Sequence, residues 1–466
     1  RDLHRLIRRQ RQMCIRDRIF RMDQFYRKFH YHSSRSGTEA LKGIVPVVER
    51  RYSELSSRLD EMWHPVLKKI EKWGAKQISL QWRFFTRKVM MLQRKSILIF
   101  SDALRYEIAH ELSREIKDAG FKVEIIPMLG VVPSYTQLGM AALLYKEGKI
   151  DIDESGVVFV DGLNTSGIDG RKRLLEKNGL KAEFFDFEDF KKFSKVEMRE
   201  KLKGVRLAVI YHNTIDRTGD DPKSEGRVFE AAQDAIDELS QLVKRIFDNL
   251  GVSEVYIIAD HGFIYQEEPL EKWKEIESPT VKTIFKKRRF VISKEKMNIE
   301  GFYMMRLSYI GSDAFVYIPY GLTRIKVQGG GSRFVHGGAS LQEIVVPCVR
   351  VLRTRERKSR IEGIEIGKID EIPTSVFTLK VFREATSQSG FDVLVYVEDA
   401  LGNIISDVKT IRLRKEDLIY KVTLTLKRAE YDKEATYHIV IEDPERKEKK
   451  KFGVKVNILF FDEFDL

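Results

Sequence analysis

The stretch Ser96 to Ile116, SILIFSDALRYEIAHELSREI, decides the fold of this chain. Ile97 to Phe100 form a short unbroken apolar run, the pattern of a strand covered on both faces. Leu104, Ile108, Leu112 and Ile116 then recur every fourth residue, which predicts an amphipathic helix. Asp102 stands at the junction. Outward from there, Gly120 closes the helix and Val123 to Ile126 read as the next strand. Val157 to Val160, Ala208 to Tyr211 and Val255 to Ile258 are further strand candidates. Between the last two, Phe229, Ala232, Ile236, Leu239, Val243 and Ile246 mark one face of a long helix. Strands alternating with helices predict an α/β fold with a largely parallel sheet, whose ligands gather at the carboxyl ends of its strands.

The flanks have a different texture. From Phe25 to Lys95 the pattern is helical, with Ile44, Val47, Val48 and Tyr52 and then Leu59, Trp63, Val66 and Ile70 at three- and four-residue steps. After Arg357, the segments Val376–Val381, Phe391–Val397, Ile411–Leu413, Tyr420–Leu426 and Tyr437–Ile441 alternate apolar with polar residues, as in a β-sandwich. The expected organisation is a basic stretch over 1–21, a helical segment over 22–95 ending a domain that begins further upstream, an α/β catalytic domain over 96–356 and a β-sandwich over 357–466.

Composition narrows the class. Of the 466 residues, 42% are hydrophobic, the balance of a globular protein. No apolar run reaches the roughly eighteen residues of a membrane span, and no secretory signal opens the chain. Cys14 and Cys348 alone cannot build a disulfide framework or a cysteine zinc site, so a cytoplasmic setting is expected. The net charge of +13 is unevenly spread. The first 21 residues carry eight arginines against two aspartates, a net +6, which leaves +7 for all the rest. That lysine-free opening reads either as foreign or mis-joined sequence, or as a solvated arm or phosphate-binding tail, and no function is placed on it. The run Lys286-Lys287-Arg288-Arg289 reads as a solvated loop, with nucleic-acid backbone binding as its rival.

Several residues able to do chemistry stand where such a sheet would present them. Asp102 follows the strand SILIF after one serine, Asp260 and His261 follow VYIIA, and Asp216 and Asp220 follow AVIY after a brief turn. His336 lies in the glycine-rich GGGSRFVHGG. Each alone is weak, because an aspartate after a strand is most often a helix cap. Together they are the oxygen and nitrogen donors that a pair of divalent cations needs. Ser134 and Thr136, before GMAALL, are candidate nucleophiles or plain helix caps.

The motifs SDALRYE (101–107), PSYTQLGMAALL (133–144), YHNTIDRTGD (211–220), ADHGF (259–263) and HGGASLQEIVVP (336–347) resemble, in this order, those of PglZ proteins of BREX phage-defence systems, most of all the type 1 form. FYRKFHYH (25–32) and the segment around Trp82 extend the resemblance to nearly everything after Phe20. It implies an alkaline phosphatase-like core. It implies Asp102, Asp260 and His261 as ligands of one metal, Asp216, Asp220 and His336 as ligands of a second, and Thr136 as the nucleophile in preference to Ser134. Many members of that superfamily have histidine at the place of Asp220. The extra carboxylate makes manganese or magnesium plausible beside zinc. Arg105 and Asn213 are candidates for contact with substrate phosphate. Arg105 could equally serve in a salt bridge, and Asn213, with His212, could support Asp216.

The implied function is a metal-dependent phosphodiesterase that hydrolyses nucleic acid or a nucleotide through a phosphothreonine, in company with other BREX proteins and away from any membrane. A phosphomonoesterase and a catalytically weak scaffold of the defence complex are the alternatives.

Overall fold

The computed structural model describes residues 2–36, 39–67, 79–267, 275–327, 333–353, 360–383, 390–414 and 417–458. The chain divides into two units, residues 1–116 with 122–353, and 117–121 with 354–466.

Two long helices open the first unit, α1 (Asp2–Ser36) and α2 (Glu39–Leu67). There follow β1 (Ser79–Leu80), β2 (Ser96–Ser101), α3 (Tyr106–Asp118), β3 (Lys122–Leu129), α4 (Thr136–Leu144), α5 (Ile168–Lys177) and β4 (Ala182–Asp186). Next come β5 (Leu207–His212), α6 (Thr214–Asp220), α7 (Val228–Asn249), β6 (Glu254–Ile258), β7 (Thr283–Lys287), β8 (Phe290–Ser293), β9 (Phe302–Arg306), β10 (Phe315–Pro319), α8 (Leu341–Ile344) and β11 (Val345–Leu352). The central sheet runs β1-β3-β11-β6-β2-β5-β4. Every pairing in it is parallel except those of β11, which lies antiparallel between β3 and β6. β7, β8, β10 and β9 form a separate antiparallel sheet.

The α/β expectation therefore holds, and for the anticipated reason. Every residue of β2 is buried, as a strand flanked on both edges and covered on both faces must be. Leu104, Ile108, Leu112 and Ile116 are all buried beneath α3, and so are the six apolar positions read along α7. Each of the larger side chains contributes about 1.5–3 kcal/mol by leaving water. Gly120 ends α3 at φ +92°, a conformation that costs glycine little.

Two expectations need correction. Val158–Val160 does form a strand, but in a small antiparallel sheet with Ile150–Ile152 and Leu163–Asn164, away from the central one. A tight turn decides this: the Asp153 carboxylate accepts the amides of Ser155 and Val157, and Gly156 takes φ +82°, so the chain folds straight back. In α2 the periodicity foretells a helix but not its buried face. Ile44 and Val47 are each 47% exposed, while Glu49, Ser56 and Asp60 are buried. For Glu49, partners explain the inversion. Glu49 accepts from Tyr26 at 2.8 Å and meets His30 at 2.7 Å, and Tyr26 stacks on Tyr52 at 3.7 Å. Ile70 lies outside the described residues.

Buried charge also ties α1 to α3. Arg27 reaches Glu107 at 3.1 Å and Glu111 at 2.6 Å, and Arg105 reaches Asp23 at 2.9 Å. Arg27, Arg105 and Glu107 are almost inaccessible, so each charge depends on its partner for the solvation it has lost.

The second unit is a β-sandwich. One sheet joins β12 (Ile364–Ile366), β14 (Val376–Arg383) and β17 (Ile419–Thr425). The other joins β13 (Glu371–Ile372), β15 (Phe391–Glu398), β16 (Lys409–Leu413), β18 (Tyr437–Asp443) and β19 (Glu448–Val456). Inward residues of both sheets, among them Leu379, Val422, Val395 and Ile439, make one apolar core, as the alternation predicts.

Arg27→Ala is expected to lower the stability of the first unit by about 3–5 kcal/mol, because it leaves Glu107 buried and unpaired. Arg51→Ala, which breaks only the exposed Arg51–Glu54 pair, should cost under about 0.5 kcal/mol. Urea unfolding of the two variants checks the contrast, and equal losses would contradict it.

Candidate metal centre

Strand register builds the site. Phe100 of β2 pairs with Ile258 of β6, so two residues further on Asp102 comes level with Asp260. Ser101 pairs with His212 of β5, and the Asp102 amide donates to the His212 carbonyl at 2.9 Å. Asp216 lies one helical turn beyond, in the first turn of α6. After β6 the chain pairs Ile264 with Val335 and Tyr265 with Phe334, which brings His336 back beside His261. Their rings stack at 4.1 Å with 1° between planes.

Two groups of donor atoms result: Asp102, Asp260 and His261, and Asp216, His261 and His336. The two groups share His261, and all five side chains are buried. His261 Nε2 stands 3.4 Å from both Asp102 Oδ1 and Asp260 Oδ2. Asp220, half exposed at the end of α6, approaches His336 Nε2 at 3.6 Å. Both histidines present the same nitrogen. His261 Nδ1 donates to the Gly262 carbonyl at 3.0 Å and His336 Nδ1 to the Ser134 carbonyl at 3.3 Å. A carbonyl can only accept, so each Nε2 keeps its lone pair.

The electrostatics are those of a site short of positive charge. Burial, then the Asp260 carboxylate, raises Asp102 well above the usual range. Burial, then Asp102, does the same to Asp216, and burial with Asp216 pushes Asp260 up to about 7. Burial holds His261 down at about 4 and lowers His336 too. Asp102 Oδ1, Asp216 Oδ1 and Asp260 Oδ2 are buried without a hydrogen-bond partner among the described residues. Orphaned carboxylate oxygens beside neutral imidazole lone pairs form a donor set that fits divalent cations.

Thr136, the first residue of α4, is half-buried, and its Oγ1 lies 3.0 Å from His261 Nε2. Since that nitrogen is an acceptor, the hydroxyl donates. Ser134 is fully buried and its hydroxyl donates to the Gly338 carbonyl at 2.8 Å. Close packing holds α4 here: a Cβ on Gly139 would meet the Asp260 carbonyl oxygen at 2.5 Å. Ala103 adopts φ +58°, unfavourable for a residue with a Cβ, and its amide thereby points at Asp260 Oδ1 at 3.2 Å.

Comparison with known proteins fits this geometry. A family model described as the BREX system PglZ alkaline phosphatase-like domain matches residues 84–351, more than half of the chain. The chain belongs to the PglZ family. It is 31% identical over 449 residues to the alkaline phosphatase-like protein PglZ of Bacillus cereus (strain H3081.97), which takes in 91% of this chain and 52% of that protein. It is 28% identical over 483 residues to the alkaline phosphatase-like protein BrxZ of Escherichia coli O9:H4 (strain HS), over 96% of this chain and 56% of that one. The chain thus spans about half the length of these relatives. Among solved structures it is similar to murine ectonucleotide pyrophosphatase/phosphodiesterase 5, with a TM-score of 0.40 and 12% identity over 57% of this chain and 90% of that one.

Two candidate phosphate contacts of this PglZ chain have other partners. Arg105 is ion-paired with Asp23 and lies over the Phe263 ring at 5.1 Å. Asn213 caps α6, its side chain accepting the Arg217 amide at 3.1 Å. His212 is buried between Ser101 Oγ at 2.9 Å and Glu238 at 3.0 Å, which braces the ends of β2 and β5. The basic run is no uniform solvated loop. Arg289 is buried and grips Glu343 through Nε at 3.1 Å and Nη2 at 3.0 Å.

Sequence reasoning missed Glu343 and Gln81. Glu343 also accepts the amides of Gly338 and Ser340, and so fixes the loop that carries His336. A sequence signal for it existed, the capping box Ser340-x-x-Glu343. Gln81, wholly buried, donates to the carbonyls of Ala259 and Asp260 and accepts the Val131 amide. Nothing in the sequence marks it.

With cations removed by a chelator, Asp260→Asn should stabilise the fold by about 0.5–2 kcal/mol, since one of several crowded charges is gone. Added zinc or manganese should then raise the unfolding temperature of the unsubstituted chain more than that of the variant. A variant less stable than its parent in chelator would refute the crowding argument. Glu343 is held below its ordinary 4.5, burial opposing and Arg289 prevailing. Its stabilisation is therefore complete above pH 4.5 and is lost as pH falls through the lower folded-state value. Glu343→Gln should cost about 3 kcal/mol at pH 7. In urea titrations that gap to the parent should narrow below pH 4.5, and a gap independent of pH would show that the charge of Glu343 is not what matters.

Proposed function

We propose that this PglZ chain is a metal-dependent phosphoric ester hydrolase acting on phosphodiesters of nucleic acids or nucleotides, within a BREX defence system and beside its other components. One observation carries the reading: the Thr136 hydroxyl donates to His261 Nε2 at the point where the carboxylates of Asp102 and Asp260 converge.

Asp102, Asp260 and His261 would hold one divalent cation, and Asp216, Asp220 and His336 a second, either zinc or manganese, with magnesium open to the more anionic pair of carboxylates. When bound, the two cations supply charge that polarises the phosphoryl group and favours both the ionised nucleophile and the leaving oxygen. Thr136 Oγ1 attacks phosphorus in line. The bond from Oγ1 to phosphorus forms as the ester P–O bond breaks, and the alcohol leaves with a proton. The first-turn amides of α4 attract the phosphoryl oxygens at the same place. Water then attacks phosphorus of the phosphothreonine, which still carries the second ester group. The bond from Oγ1 to phosphorus breaks, a phosphate monoester leaves, and a proton of the water returns to Oγ1. Gln81 and the Arg289–Glu343 pair take no part in bond changes. They hold the loops at 259–260 and 336–340 so that the donor atoms stay within reach of one another.

Hydrolysis of bis(p-nitrophenyl) phosphate and p-nitrophenyl phosphate, in chelator and with zinc or manganese restored, tests the reading. Turnover should need metal and favour the diester, and Thr136→Ala should reduce it by roughly a thousandfold or more. Undiminished turnover by Thr136→Ala would remove the nucleophile assignment. Faster monoester cleavage would make the chain a phosphomonoesterase.

A further inference from the structure

The four cations at 286–289 meet different fates on the hairpin of β7 and β8. Arg289 is buried against Glu343 and Lys286 is exposed. Lys287 is half-buried, and its ammonium has no ion-pair or hydrogen-bond partner among the described residues.

Hairpin geometry decides where it faces. Lys287 pairs with Phe290 across the antiparallel ladder, so the two side chains share a face, and Phe285, two residues before Lys287, shares it as well. Both aromatic rings of that face lie on the site. Phe290 stacks on Tyr135 at 5.2 Å and Phe285 meets the same ring at 5.8 Å, beside Thr136. A Cβ on Gly337 would strike the Phe290 ring at 2.5 Å, beside His336. The hairpin is thus wedged between the segment leading into Thr136 and the residue following His336, and Lys287 is on its inner face. The charge of Lys287 acts on Asp216, Asp220, His261 and His336 alike, which lie on three separate segments.

We propose that the Lys287 ammonium binds a non-bridging oxygen of the phosphoester presented to Thr136, making Lys287 a substrate contact contributed by the antiparallel sheet rather than by the central one. This rests on the phosphoester reading of the site. The carboxylates are donors for cations, and none of them lies within ion-pair distance of Lys287. Among the described residues no carboxylate answers this ammonium, and the anion assigned to it is a phosphoryl oxygen of the ester. A compact ammonium suits a single phosphoryl oxygen, and partial burial strengthens the attraction.

Binding of inorganic phosphate to the zinc-loaded chain, followed by calorimetry, tests this without requiring turnover. Lys287→Ala should weaken phosphate binding roughly 10- to 100-fold. Its zinc content should match the parent's, Lys287→Arg should recover most of the loss, and Lys286→Ala should bind as the parent does. Unchanged affinity in Lys287→Ala, or phosphate binding absent from the parent chain, would overturn the assignment. Zinc lost in proportion to phosphate would also overturn it, since Lys287 would then be positioning the ligand residues. If the parent binds phosphate through Lys287 yet hydrolyses neither ester, the catalytic reading fails while the assignment of Lys287 stands.

Discussion

Phe100 opposite Ile258 and Ser101 opposite His212 set the register of three neighbouring parallel strands, and the remainder of the site is built on that alignment. Parallel strands end on the same edge of a sheet. Residues one or two places past those ends are therefore delivered to a common line without any contact of their own to draw them there. Asp102, Asp260 and the turn leading to Asp216 arrive in this way, although more than 150 residues of chain separate the first from the second. Slippage of β2 by one residue against β6 would carry every side chain of β2 to the opposite face of the sheet, and since both faces are covered, the close packing on each enforces the register.

That delivery concentrates like charge where water cannot screen it. Carboxylates crowded in a buried space repel one another, and apolar burial elsewhere in the sheet must offset the cost. The two imidazoles do not relieve it, because burial keeps them neutral and backbone carbonyls occupy their N–H groups. The molecule thus stores unfavourable electrostatic energy at one edge of a stable sheet. The same lone pairs that destabilise the metal-free fold are the ones a cation would take up.

Buried ion pairs around this edge act as a frame. Arg289 with Glu343 holds the glycine-rich loop, and Arg27 with Glu107 and Arg105 with Asp23 fasten α1 to the start of α3. Charged pairs of this kind add little net stability compared with apolar packing, yet breaking one strands the other charge. Within that frame Arg105 is taken up by Asp23 and Arg289 by Glu343.

The amino-acid order alone determined the alternation of strand and helix, because a four-residue apolar run and a repeat every fourth position are local properties of the chain. It also determined which residue types follow the strands, so Asp102, Asp260 and His261 could be singled out from spacing and from likeness to a family. Only the tertiary structure decided which donors share a centre, since the return of His336 to His261 depends on a long-range strand pairing. It alone decided that α2 turns polar residues inward, because Glu49 finds its partners on α1 and hydrophobic periodicity carries no record of them. It alone separated Arg289 from Lys287: adjacent cations look alike in a sequence, and burial differs between them because only one has a carboxylate beside it.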